Sequence, residues 1–238
     1  MVKTAVILAA GMGTRLKERT KNQPKAFLEV GGMSLIKRSL ENLIESGITR
    51  IIIGTGYLKE HFENLKNSYP SLEFVHNEIY DQTSSMYTLY LMKDVIGEDF
   101  LLLESDLLYS KEFLKFTIES KSKNVIASSL ITDYGDEVFL ETDNEGRLVN
   151  LSKKRDDLSK IDSVLVGISK ISNDTFINIC NKFASKLEEN IKKDYEHLLC
   201  EMGKVENIHV EQNVLIPWCE IDDENHLNYA LENILPRI

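Results

Sequence analysis

Proline is scarce in this sequence, four residues in 238, and so is cysteine, with three; tryptophan occurs once. Without a Pro/Gly-rich stretch there is no composition for a linker between tethered modules, so one domain spanning residues 1–238 is the simplest expectation. Cys180, Cys200 and Cys219 are far apart, odd in number and without CxxC spacing. That argues against a disulfide framework or a thiolate metal site and for reduced thiols in a cytoplasmic protein. No apolar stretch approaches the ~20 residues that span a bilayer, so no membrane partner is expected. No long basic run exists either, and the formal net charge is −10. A chain this acidic repels nucleic acid and anionic membrane surfaces.

What is present is a core-sized share of apolar residues, 42%, laid out in an alternating pattern. Ala5 to Ala9 is a continuous apolar run that ends in glycine, which suits a buried parallel strand better than a secretory leader. Ser34 is placed to cap a helix through Ser46, with Gly47 as its stop. Ile51 to Gly54, Phe74-Val75 and Phe100 to Leu103 read as further strands, with helices at Leu58 to Asn67 and Met86 to Val95 between them. This alternation predicts right-handed βαβ units. Val138 to Thr142 and Leu148 to Leu151, joined by Asp143-Asn144-Glu145-Gly146, read as an antiparallel hairpin, followed by a strand at Val164 to Ile168. Helices near Asp174 to Glu189 and Tyr195 to Met202, a strand near Pro217 to Ile221 and a last helix at Asn225 to Ile234 complete the expectation. The fold class is α/β: a Rossmann-like, mostly parallel sheet flanked by helices, with a small antiparallel hairpin insertion.

The first strand runs into Gly11-Met12-Gly13-Thr14-Arg15 and then an irregular stretch to Pro24-Lys25. Glycines let backbone N–H groups approach phosphate oxygens with no Cβ in the way. Arg15 can fork onto a polyphosphate and Lys25 can add a point charge. An ordinary strand-to-loop turn is the competing reading. Neither of two familiar phosphate loops fits: no Lys-Ser/Thr follows a glycine in the P-loop register, and Leu16 stands where the dinucleotide fingerprint needs its third glycine.

Leu8-Ala9-Ala10-Gly11-Met12-Gly13-Thr14-Arg15-Leu16, followed by Pro24-Lys25 and Gly31-Gly32, resembles the signature of the sugar-nucleotide pyrophosphorylase and cytidylyltransferase superfamily of nucleotidyltransferases (a GT-A-like fold). The resemblance implies that Leu8 to Arg15 wrap a nucleoside triphosphate, that Lys25 contacts phosphate, and that the base is read around Asn77, Thr83, Ser84 and Ser85. Hydroxyls at a helix start can bond a pyrimidine edge, although helix capping is the simpler role for Thr83 or Ser84. It also implies Mg²⁺ at Asp106, at the carboxyl end of a buried strand, with Arg15, Lys25 and Asp106 as the catalytic set. The competing reading makes Asp106 the N-cap of a helix over Leu107 to Phe116. Trp218-Cys219-Glu220-Ile221-Asp222 resembles the Glu-Ile-Asp segment of phosphocholine cytidylyltransferases, with Asp222 the second metal ligand; Asp222 or Asp223 capping the last helix is the alternative. Glu104, two residues before Asp106, shares its strand face.

For the acceptor, Ser152-Lys153-Lys154-Arg155 departs from the Glu-Lys-Pro of sugar-phosphate members, which moves the expectation to CTP with a small amino-phosphonate or amino-alcohol phosphate. Lys153 suits the acceptor anion, against a solvated basic loop. A quaternary ammonium calls for an aromatic cage, drawn from Tyr87, Tyr109, Tyr134, Tyr195 and Trp218; a primary ammonium calls for carboxylates such as Asp133, Asp136, Glu196 and Glu220. Lys17 to Lys25, Ile53 to Gly56, Thr83 to Met86 and Leu103 to Leu107 are most similar to 2-aminoethylphosphonate cytidylyltransferases. Phosphocholine is the alternative acceptor, followed by a sugar 1-phosphate or a non-catalytic nucleotide sensor. Some relatives carry a fused aminotransferase, and the end at Ile238 allows this chain to be one domain of such a protein.

Overall fold

The computed structural model describes residues 2–131 and 137–238. Asp133, Tyr134 and Asp136, named above as acceptor candidates, lie outside the described residues. The chain opens with β1 (Thr4–Ala9), buried along its whole length. Two 3-10 turns follow the glycine loop, Thr14–Thr20 and Lys25–Phe27. A small hairpin then pairs β2 (Glu29–Val30) with β3 (Met33–Ser34) across Gly31-Gly32. Helix α1 (Leu35–Glu45) begins where the Ser34 hydroxyl accepts from the Lys37 amide, and the chain turns out of it through Gly47 at φ +82°. Next come β4 (Arg50–Thr55), α2 (Glu60–Glu63), β5 (Glu73–His76), α3 (Ser85–Leu91), α4 (Lys93–Ile96), β6 (Phe100–Glu104), β7 (Leu107–Tyr109) and α5 (Glu112–Glu119). The second half holds β8 (Val125–Ser129), β9 (Phe139–Thr142), β10 (Leu148–Ser152), β11 (Ser163–Ile171), α6 (Asn173–Ser185), α7 (Leu187–Asn190) and α8 (Tyr195–Gly203). It closes with β12 (His209–Gln212), β13 (Trp218–Glu220) and α9 (Glu224–Tyr229).

Among the described residues nine strands form one sheet, ordered β10-β9-β11-β6-β1-β4-β5, with β8 on β11 and β12 on β8. β6, β1, β4 and β5 run parallel and in step, Thr4 to Leu8 facing Phe100 to Glu104 on one side and Arg50 to Gly54 on the other. That register brings the glycine loop and the Glu104-to-Asp106 turn to the same sheet edge. β11 is antiparallel to β6 and to β8, and the β9–β10 hairpin joins at its end. The expected α/β sheet with an antiparallel hairpin is therefore present, and β8 and β12 add to it.

Apolar side chains divide into packed groups. On one sheet face Val6, Leu102 and Ile126 meet Met86, Phe176 and Leu198 of the helices; on the other Ile7, Ile53 and Leu103 meet Leu40, Phe62 and Phe113. A third group packs Leu16, Leu28 and Val30, from around the glycine loop, on Leu108, Ile221, Leu227 and Ile234. It fastens the first segment of the chain to the last. Burial of this kind contributes about 25 cal/mol per Å² of apolar surface. No helix among the described residues is long and apolar enough to cross a membrane.

One sequence expectation is overturned. Leu107 to Phe116 is not one helix: Leu107–Tyr109 is β7, paired antiparallel with β13, and α5 starts only at Glu112. Cross-strand pairing with Trp218 to Glu220 outweighs the helical period of the apolar residues, so Asp106 sits in a strand-to-strand turn and caps no helix. The helix expected at Met86 to Val95 is divided at Met92 into α3 and α4.

Gly167 lies at the irregularity in β11, between Leu165 and Ser169, at φ +81°; a Cβ there would stand 2.6 Å from Glu104 Oε2. Gly97, at φ +65°, has open space around its Cβ position. Urea unfolding of Gly167→Ala is therefore expected to show a loss of about 3 kcal/mol, and of Gly97→Ala about 1 kcal/mol, because only the first adds a clash to the backbone strain. Equal losses would remove the packing argument for Gly167.

Candidate active site

The glycine loop reaches the site because Gly13 turns through φ +60°, and a Cβ there would meet Lys25 Cβ at 2.8 Å. The missing side chain lets the Lys25 segment pass directly beneath the loop. Lys25 is 9% exposed. Its Nζ donates to Asp106 Oδ2 at 2.7 Å and also to Asp222 Oδ1. Arg15 Nη2 lies 2.7 Å from the same Asp222 oxygen. Burial works against the charge on Lys25, but Asp106, Asp222 and Glu220 overcome it and hold the ammonium above its ordinary pKa. Burial likewise opposes ionisation of Asp222, and Lys25 with Arg15 overcomes it, so this carboxyl lies below its ordinary range.

Asp222 is available because Asp223, next to it, caps α9: its side chain accepts from the amides of Asn225 at 2.8 Å and His226 at 2.9 Å. The Asp222 amide donates to His226 Nδ1 at 3.2 Å. The sequence alternatives are thereby separated, one aspartate for the helix and one for the cleft.

Two further carboxylates complete the group. Glu104, Asp106 and Glu220 offer oxygens within 4.8 Å of one another. Glu104 accepts from the Tyr195 hydroxyl at 2.7 Å. Burial, then Asp106 and Glu196, push its carboxyl up to about 8. Burial, followed by Asp106 and Glu104, also raises the Glu220 carboxyl above its ordinary range. Asp106 Oδ1 and Asp222 Oδ2 are buried and have no hydrogen-bond partner among the described residues. A buried carboxylate oxygen without a donor is costly. An all-oxygen set with unused acceptors fits a hard divalent cation.

The site lies in a cleft of two lobes. One, about 1040 Å³ with its open mouth, is lined by Leu8, Ala9, Gly11, Gly13 and Thr14 of the loop and by Lys25, Ser85 and Asp106. Ala10 and Met12 are not among its lining residues; the Ala10 carbonyl accepts from the Tyr57 amide and Met12 is 39% exposed. The other lobe, about 800 Å³, is lined by Glu137, Val138, Leu165, Trp218 and Tyr229. Arg15, Glu104, Lys153, Glu196, Glu220 and Asp222 line both. The shared wall thus carries two cations and four carboxylates.

Several expected residues lie elsewhere. Asn77 is buried, donating to the Thr83 and Thr88 hydroxyls and accepting from the Ile79 amide, so it holds a turn together. The Thr83 hydroxyl donates to the Ile79 carbonyl and that of Ser84 to the Lys192 carbonyl. Of the four residues assigned to the base, only Ser85 lines the loop lobe, with its hydroxyl donating to Asp194 Oδ1 at 3.1 Å. Tyr109 is corrected from substrate contact to core: its ring is buried among Leu107, Phe113 and Leu114, and the hollow it borders is a different one. Tyr87 packs against Tyr90 and Phe183; the Tyr195 ring is buried but borders the loop lobe, with its hydroxyl on Glu104. Glu137, Asp194 and Tyr229 were not singled out by sequence reasoning. Asp194 carried a signal, since it stands at the N-cap of α8 yet makes no side-chain cap bond and turns to Ser85 instead.

Glu196 is 6% exposed, and burial, followed by repulsion from Asp194, pushes its carboxyl from 4.5 up to about 7. Its neutral form suits the fold, so its contribution is complete below the ordinary pKa and is lost as pH rises toward 7. Denaturant titrations without metal or nucleotide should therefore show Glu196→Gln losing about 2 kcal/mol less stability than the parent between pH 4.5 and 7. Parallel pH profiles would refute the burial assignment.

Comparison with known proteins places this geometry. The family profile described as Nucleotidyl transferase matches residues 4–195. The choline-phosphate cytidylyltransferase of Streptococcus pneumoniae is 41% identical over 109 residues, 46% of this chain and 47% of that protein, so this match reaches about half of the relative's length. The 2-aminoethylphosphonate cytidylyltransferase of Lancefieldella rimae is 32% identical over 170 residues, 71% of this chain and 66% of the relative. The solved structure of the Streptococcus pneumoniae CTP:phosphocholine cytidylyltransferase superposes with a TM-score of 0.81 at 27% identity, covering 97% of this chain and 99% of the other.

Proposed function

Because the chain belongs to the nucleotidyl transferase family, we propose that it is a cytidylyltransferase joining CTP to 2-aminoethylphosphonate, giving CMP-2-aminoethylphosphonate and pyrophosphate. A phosphonate oxygen attacks the α-phosphorus of CTP in line; the new P–O bond forms as the bond to the bridging oxygen breaks, and pyrophosphate leaves. The observation that carries this reading is the Lys25 ammonium between Asp106 and Asp222, beside the wall shared by the two lobes of the cleft.

The chain's part is to hold two anions together. Leu8, Ala9, Gly11, Gly13 and Thr14 offer backbone to the triphosphate in the loop lobe, where the two glycines permit close approach. Arg15 and Lys25 offset the repulsion between the phosphates. Asp106 and Asp222 are the residues to hold Mg²⁺, with Glu220 and Glu104 beside them. Bound Mg²⁺ supplies Lewis-acid stabilisation of charge on the transferring phosphoryl group. Lys153 faces the acceptor anion from the shared wall, and Ser85 serves the nucleotide side. The three thiols, all buried, suit work in the cytoplasm.

The acceptor follows from the charge of the second lobe. Glu104, Glu137, Glu196, Glu220 and Asp222 face Arg15 and Lys153 there. Burial favours the neutral forms of Glu104, Glu196 and Glu220, and a bound cation would draw their ionised forms back. A primary ammonium brings three N–H donors to such carboxylates, which a quaternary ammonium lacks. Trp218 and Tyr229 in the same lobe favour the second reading, phosphocholine, through cation–π contact.

The discriminating experiment is pyrophosphate release from four nucleotides against 2-aminoethylphosphonate, phosphocholine, phosphoethanolamine and glucose 1-phosphate. CTP with 2-aminoethylphosphonate is expected to give the highest kcat/KM; turnover with the sugar phosphate alone would overturn the acceptor, and nucleotide binding without release would make the protein a sensor. Asp106→Asn and Lys25→Ala should each lower kcat by about 100-fold or more while near-UV circular dichroism stays unchanged. Parental turnover in Asp106→Asn would sink the metal assignment.

A further inference from the structure

We infer that the Lys25 ammonium holds the place of the divalent cation between Asp106 and Asp222 and yields it only when a triphosphate is there to receive it, so that the protein takes its metal as a metal–nucleotide complex and not as the free ion. The inference rests on the reading that Asp106 and Asp222 are the metal ligands.

Three observations carry it. Lys25 Nζ donates to Asp106 and to Asp222, two carboxylates brought together from the middle and the end of the chain, and the side chain is nearly buried. The pairing is incomplete: Asp106 Oδ1 and Asp222 Oδ2 remain buried without a partner among the described residues, so a single positive charge leaves acceptor capacity that a divalent ion would use. Lys25 also lines the lobe formed by the glycine loop, so displacement from the carboxylates need not carry it out of the site.

The energetics then depend on what receives the ammonium. A free metal ion entering between Asp106 and Asp222 must take Lys25 away from both carboxylates within a nearly buried site, leaving Glu220 and Glu104 as its acidic neighbours, and the loss of two buried partners opposes that. A triphosphate seated on Gly11, Gly13 and Arg15 brings phosphate oxygens to the same place. The ammonium then exchanges carboxylate for phosphate while the metal takes the carboxylates. Each ligand relieves a cost that the other would meet alone, so their affinities are coupled, and reciprocally.

The test is Mn²⁺ binding without nucleotide, read from the electron paramagnetic resonance of the free ion, for the parent, Lys25→Met and Lys25→Met with Asp106→Asn. Lys25→Met is expected to bind free Mn²⁺ about tenfold tighter than the parent, and the added Asp106→Asn to abolish the gain. Lys25→Gln, closer in shape, serves as the second variant, and the rise in melting temperature on adding Mn²⁺ should follow the same order. Equal Mn²⁺ affinity in the parent and both single variants would overturn the inference. So would a gain that survives Asp106→Asn, which would put the metal elsewhere. A gain in Mn²⁺ affinity without pyrophosphate release from any acceptor would leave this inference standing and remove the proposed reaction; release without the gain would do the reverse.

Discussion

A buried ammonium needs buried carboxylates, and in this protein they come from the far reaches of the chain. Lys25 is 81 residues from Asp106 and 197 from Asp222, yet it touches both. Desolvation makes such a pair weak as a source of stability, since apolar packing of equal volume often does as well. Its value lies in geometry. Breaking either contact strands a charge, so the three segments are confined to one arrangement, and the cleft is defined by that arrangement.

The rest of the structure can be understood as the means of meeting that constraint. β1 and β6, paired in step, deliver the glycine loop and Asp106 to one edge of the sheet. β7 and β13 pair across the end of the chain and bring Glu220 opposite Leu107. The Asp222-to-α9 segment is pressed onto the loop through Leu16, Leu28, Ile221 and Ile234. The Asp223 cap fixes the start of α9, so that its neighbour Asp222 is free to turn inward. Apolar burial and one helix cap thus do the positioning, and the ionic contacts supply the specificity.

How much of this could be read beforehand depended on whether the signal was local. β1, the glycine loop, the Ser34 cap, the hairpin at 138–151 and the aspartate ending a buried strand are all local patterns, and each was legible. The helix expected at Leu107 to Phe116 failed because the deciding partner, Trp218 to Glu220, is more than a hundred residues away. β8 escaped notice because its buried residues include Ser128 and Ser129, which break an apolar run without breaking a strand. Asn77, Thr83 and Ser84 were placed at the site by resemblance, with capping as the alternative; their bonds go to one another and to the Ile79 and Lys192 carbonyls, and Ser84, at the N-cap of α3, makes no side-chain cap bond. Asp194 illustrates the reverse case, a residue at a capping position whose side chain serves Ser85 instead.

The charge distribution joins the two lobes into one device. Both lobes are lined by carboxylates and by Arg15 and Lys153; Lys25 and the glycine loop belong to the loop lobe alone, and Glu137, Trp218 and Tyr229 to the other. For the proposed acceptor, the anion would sit at the shared wall beside Lys153 and Arg15 and the ammonium toward Glu137, the acid confined to the second lobe. Reversal would set the ammonium against Arg15, a like-charge penalty, and take the anion away from both cations. In the proposed reaction that orientation would direct the acceptor oxygen to the junction, where Asp106, Asp222 and Lys25 converge.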